Sequence, residues 1–173
     1  EIMKNDLTEG RMAFEKQLDI MCAGAFSVSN DSDLKWVYFL DGLKDGDNNI
    51  AALIRCNDML RQTFADSEHY QNYSVIMKNE LIFRKSGMVV GDKFFYDNYC
   101  TYQNTDFETW RKQSFEADTW QLFPLEEIDT GEETLQAMTF SYPVRNYIQQ
   151  EQEANAVVQF LLSKENLEQM FGQ

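Results

Sequence analysis

Tyr73-Ser74-Val75-Ile76-Met77-Lys78-Asn79-Glu80-Leu81-Ile82-Phe83-Arg84 is the stretch on which the fold turns. Before it, apolar residues recur every three or four positions. Within it they form two short β-prone runs split by the polar triplet Lys78-Asn79-Glu80. Runs of this length joined by a tight turn make a hairpin, so strands are predicted over 73–77 and 81–84, paired antiparallel. Ser86-Gly87 then turns the chain into a third strand, Met88-Val89-Val90.

Working back from the hairpin, Met3, Leu7, Phe14, Leu18, Met21 and Ala25 fall on one helical stripe, with Asp6, Glu9, Arg11, Glu15, Lys16 and Gln17 on the wet side. This predicts a long N-terminal helix over about 1–26, weakened but not broken by Gly10. A short helix capped by Ser32 or Asp33 is predicted to present Trp36, Phe39, Leu40 and Leu43 on one face. A third, over 48–64, carries Ile50, Leu53, Leu60 and Phe64.

Working forward, residues 94–102 are aromatic and polar without a clear period. Thr105 or Asp106 caps a helix through Trp110 to Phe115. Strands are predicted over 119–124 and over 134–144, where Leu135, Ala137, Thr139 and Ser141 alternate with Gln136, Met138, Phe140 and Tyr142. Residues 155–162 are almost continuously apolar, as a central buried strand would be, and Ser163 caps a last helix carrying Leu167, Met170 and Phe171. Hairpin-type connections beside helices imply an α+β domain built on a mostly antiparallel sheet. The 173 residues make one domain: a stalk-like helix over 1–26, a sheet with a helical insertion over 70–162, and a C-terminal helix over 163–173.

The charge narrows the partners. A nucleic-acid binder needs a basic face to displace counterions from phosphates, and a formal net charge of -14 argues against one, so nucleic acid is not an expected partner of this domain. Cys22, Cys56 and Cys100 have no metal-ligand spacing and are expected to be mostly buried thiols, with a Cys22–Cys56 disulfide left open. No apolar run is long enough to span a bilayer. Beginning at Glu1 without a methionine, the chain reads as part of a longer protein.

Catalytic patterns are thin. The single histidine, His69, sits in a polar connection, and the chain has no nucleophile elbow, zinc helix or phosphate loop. Asp45-Gly46-Asp47-Asn48-Asn49 superficially resembles a calcium loop. Ile50 stands where that loop needs glycine and Cys56 where it needs its glutamate, so a turn and N-cap are expected instead. The pairs Glu126-Glu127 and Glu132-Glu133 read as solvated loop charge. The expectation is a non-enzyme without cofactor or metal.

The aromatics are more suggestive. Phe94, Phe95, Tyr96, Tyr99 and Tyr102 crowd one segment, with Trp110 and Trp120 beyond it. Tyr142, Pro143 and Arg145 close a strand expected nearby. Aromatic walls with a few polar groups are what a small-ligand pocket needs. The expected ligand contacts are Tyr96, Trp110, Trp120, Tyr142 and Arg145, in a space between the sheet and the insertion.

The hairpin over 73–83, Ser86-Gly87, Phe107-Glu108-Thr109-Trp110-Arg111-Lys112, Phe140-Ser141-Tyr142-Pro143-Val144 and the stretch 157–171 together resemble a known family. It is the PAS-like Cache sensor domain of Firmicutes membrane-anchored AraC-type regulators and related sensor histidine kinases. The resemblance implies an extracytoplasmic domain flanked by transmembrane helices. It would sense a small molecule such as a sugar, a peptide or another metabolite, and signal to a DNA-binding or kinase output. It also makes the first helix a homodimer contact. A protein-interaction module without a small ligand is the alternative.

Overall fold

Among its described side chains, helix α1 (Ile2–Ser29) packs on the core from Phe14 onward. Met21, Ala25 and Val28 are fully covered, Phe14 and Leu18 partly so, while Leu7 stands in solvent. The structure is a computed structural model and describes residues 2–38, 46–65, 72–145 and 151–172. Asp31 caps α2 (Ser32–Val37) by accepting the Leu34 N–H at 2.9 Å. That helix buries Leu34 and Val37, one turn apart, and leaves Trp36 half exposed, so the predicted apolar face is corrected. Phe39, Leu40, Leu43 and His69 lie outside the described residues. Helix α3 (Gly46–Phe64) buries Leu53, Cys56, Leu60 and Phe64 and turns Ile50 outward.

The hairpin forms as read: β1 (Tyr73–Met77), β2 (Leu81–Arg84) and β3 (Gly87–Val90) run antiparallel in sequence. Next come α4 (Asp92–Tyr99), β4 (Thr101–Tyr102) and α5 (Phe107–Glu116), the last capped by Asp106 through the Thr109 N–H at 2.8 Å. Strands β5 (Gln121–Asp129), β6 (Thr134–Val144) and β7 (Ala156–Ser163) lead to α6 (Lys164–Met170). Ser163 is both the end of β7 and the cap of α6. Pro124 does not end its strand as predicted. It sits in a bulge between Phe123 and Glu126, where proline costs the ladder no hydrogen bond, so Glu126 and Glu127 are strand rather than loop residues.

One seven-stranded sheet results, ordered β3-β2-β1-β7-β6-β5-β4 and antiparallel throughout, an α+β architecture consistent with a PAS-like or Cache fold. Helices α1–α3 pack on one face, against Val75, Phe83, Phe140, Val158 and Phe160. The insertion α4–α5 packs on the other, where Phe95, Tyr96, Trp110 and Phe115 meet Ile76, Ile82, Ala137 and Val157. The strand alternation is what splits β6 and β7 between these two cores.

All three cysteines are free. Burial pushes the Cys56 and Cys100 thiols up to about 12, with Asp31 and Asp33 adding to the effect at Cys56. Such a thiol stays overwhelmingly protonated, and therefore unreactive, near neutral pH. Alkylation of the native protein at that pH is therefore expected to mark the half-buried Cys22 well before the other two. Mass mapping of the labelled sites checks this, and early labelling of Cys100 would contradict its enclosure.

Candidate functional site

Register carries a polar row across the insertion-facing side of the sheet. Arg84 lies opposite Ser74, Ser74 opposite Gln159, and Gln159 opposite Ser141, across β2, β1, β7 and β6. Gln159 is the only polar residue between Ala156 and Leu162, so its placement in a central strand is costly unless its amide is paired. It is paired: Nε2 donates to Ser114 Oγ of α5 at 2.9 Å and to Ser141 Oγ at 3.1 Å. One row further on, the Tyr102 and Thr139 hydroxyls share a hydrogen bond of 2.7 Å. Burial drives the Tyr102 phenol well above its ordinary range.

Beside this row lies a cavity of about 380 Å³ between the sheet and α4. Its walls include Ser74, Gln159 and Leu161 from the sheet and Phe95, Tyr99 and Cys100 from the insertion. Arg84 and Glu132 stand at its charged side. The volume falls in the range of roughly 300–1,000 Å³ that small-molecule pockets occupy. Tyr73 also borders the cavity, but its ring turns to the helix-side core, 4.7 Å from Phe64 centroid to centroid, and among the described residues its buried hydroxyl has no hydrogen-bond partner. Burial raises the pKa of that phenol, with Arg61 acting in the opposite sense.

The insertion is clamped in place by Arg111. Its Nε donates to Asp92 Oδ2 at the start of α4 and its Nη1 to Glu153 Oε1 ahead of β7, both at 2.7 Å. The same guanidinium lies 4.8 Å from the Phe115 ring centroid. Charge-assisted contacts of this length, partly shielded from water, fix the roof of the cavity to both of its neighbours.

The five residues expected to bind ligand do not converge. Tyr96 and Trp110 meet at 5.5 Å inside the insertion, where the Tyr96 hydroxyl donates to the Thr105 carbonyl and Trp110 is wedged between Phe95 and Phe107. Trp120 stacks on Phe140 at 5.4 Å, and Tyr142 packs into the same helix-side core, across the sheet from the insertion. Arg145 uses its guanidinium on four backbone carbonyls, those of Phe115, Ala117, Glu151 and Gln152, at 2.9–3.3 Å. Among the described residues that line the cavity, none is one of these five.

The cavity residues were visible only as exceptions. Gln159 interrupts an apolar run, and Arg84 ends a buried strand. Tyr99 belongs to the aromatic cluster already singled out. Nothing local joins the three, because they come from β7, β2 and α4. Among the described residues, no group of three or more His, Cys, Asp or Glu side chains is placed to hold a metal, and no helix is long and apolar enough to cross a membrane. Compared with protein-family models and with curated proteins, the chain matches none.

Proposed function

We propose that this chain is the extracytoplasmic ligand-sensing domain of a bacterial membrane receptor with an AraC-type DNA-binding or histidine kinase output. The observation that carries this reading is the cavity between the sheet and the segment 94–102, with the buried Gln159 and the largely covered Arg84 in its wall. A ligand shifts a receptor only as far as its affinity differs between two conformations. A route for that difference is built into β7. Gln159 and Leu161 line the cavity, and two residues after Leu161 the same strand becomes the cap of α6.

Helix α6 in turn sits on α1. The Phe171 ring fills the place where a side chain at position 10 would stand, only 2.3 Å from an ideal Cβ there, which is why that helix position is glycine. A small displacement of β7 is thereby passed to both terminal helices, the elements that would lead toward the membrane. The alternative, an interaction or dimerisation module, draws on Leu7, Met12 and Phe26 of α1 and Ile50 and Ile54 of α3, which are exposed.

A thermal-shift screen of the purified domain against sugars, amino acids, short peptides and small carboxylates separates the two. A ligand at 100 times its Kd adds about 2.7 kcal/mol, or roughly 5–10 °C for a domain this size. The shift should vanish in Ser74→Phe, which fills the cavity from β1. A flat response across the panel would sink the sensing reading in favour of the interaction module.

A further inference from the structure

We infer that the ligand of this cavity is a small carboxylate held by Arg84, and that Glu132 sits on the same guanidinium as a tethered competitor. The inference rests on the ligand-sensing reading above. Arg84 closes β2 opposite Ser74, and its side chain is only 14% exposed. Its guanidinium lies 3.9 Å from the Tyr99 ring centroid, which sets the plane of the group. Nη2 donates to Ser86 Oγ at 3.1 Å and to Glu132 Oε1 at 3.4 Å. Among the described residues, Nε and Nη1 meet no acceptor, so the planar fork keeps donors for an incoming anion. Arginine grips a carboxylate best through two parallel contacts, and Glu132 supplies one.

Glu132 is poorly placed to be a permanent partner. It offers a single oxygen at the long end of hydrogen bonding, shares that oxygen with Ser86 at 3.1 Å, and is 71% exposed. A pair whose carboxylate stays this open to water contributes little net stability. The turn that bears it is nevertheless firmly seated. Gly131 adopts a φ of 79° and packs so that the Asn98 carbonyl oxygen lies 2.3 Å from where a Cβ would be. The Glu132 side chain can therefore leave Arg84 while the β5–β6 turn stays on α4. The surroundings favour an anion: Arg61, Arg84 and Lys85 outnumber Glu132 and Glu133 around the cavity, in a chain with 29 Asp and Glu against 15 Lys and Arg.

The test titrates the purified domain with succinate, citrate and glucose at constant ionic strength, reading affinity by calorimetry and the Arg84 Nε–H resonance by NMR. Succinate or citrate should bind and shift that resonance in the wild type, a readout that needs no variant. Glu132→Gln should tighten carboxylate binding about 3–10-fold by removing the competitor, and Arg84→Gln should weaken it about 20-fold or more. Arg84→Lys, which keeps the charge and loses the fork, should fall between. Carboxylate binding that is insensitive to Arg84→Gln, or weakened by Glu132→Gln, would overturn the inference. A neutral compound that binds, survives Arg84→Gln and is lost in Ser74→Phe would remove the carboxylate assignment and leave the sensing reading intact. Silence toward charged and neutral compounds alike would remove both.

Discussion

Trp110→Ala should destabilise the domain by about 3–5 kcal/mol, the range for truncating a buried aromatic, and lower its melting temperature by roughly 6–20 °C. Trp110 is 0% exposed and lies within 6.1 Å, centroid to centroid, of Phe95, Tyr96 and Phe107. Removing the indole opens a hole that rings from two helices, both tied down by Arg111, cannot readily close. Among the described residues the indole N–H has no hydrogen-bond partner, so Trp110→Phe loses volume and no bond, and about 1–2 kcal/mol is expected for it. Urea unfolding of the three proteins checks the order. A loss below about 1 kcal/mol in the alanine variant would show that this wedge does not hold the insertion together.

Arg145→Ala should cost about 2–4 kcal/mol, because one cation donates to four carbonyls on two segments and leaves them short of a partner when it is removed. Two of those carbonyls end α5, where the last C=O groups of a helix have no partner in the helix itself. The Phe115 carbonyl also accepts the Ala154 N–H at 2.7 Å, so Arg145 joins the end of α5 to the segment that starts β7. Amide exchange at Ala154 is expected to accelerate in the variant together with the drop in stability. Arg145→Lys should recover little, since one ammonium cannot span carbonyls on two segments. Unchanged stability with lost ligand affinity would return Arg145 to the binding role its sequence position suggests.

What was legible in the sequence follows from how local each signal is. Strand 134–144 reads to the residue because period-two alternation lives within one segment, and Asp106 and Ser163 announce their helices through side-chain oxygens. Helix α4 was missed for the converse reason. It starts after Gly91, at a φ of 97°, with no side-chain cap, and its aromatics look aperiodic until Phe95 and Tyr96 are seen against Trp110. Spacing puts Trp36 on one helical face with Phe39, Leu40 and Leu43, yet Trp36 is half exposed and, among the described residues of α2, Leu34 and Val37 are the buried ones. Large aromatics drew attention to Trp110, Trp120 and Tyr142, which the sheet separates: Trp110 lies in the insertion-side core, Tyr142 in the helix-side core, and Trp120 stacks on Phe140.

The sequence by itself determined the α+β class, the first hairpin and the caps of α5 and α6, since periodicity, turn residues and capping oxygens act over a few neighbours, whereas the cap of α2 is Asp31 and not Ser32 or Asp33. Only the tertiary structure decided which residues share the cavity. Arg84, Ser74 and Gln159 stand in one row because β1 pairs with β2 on one side and with β7 on the other. Pairing between segments more than 70 residues apart is settled by the burial of two whole sheet faces, and no local pattern encodes it.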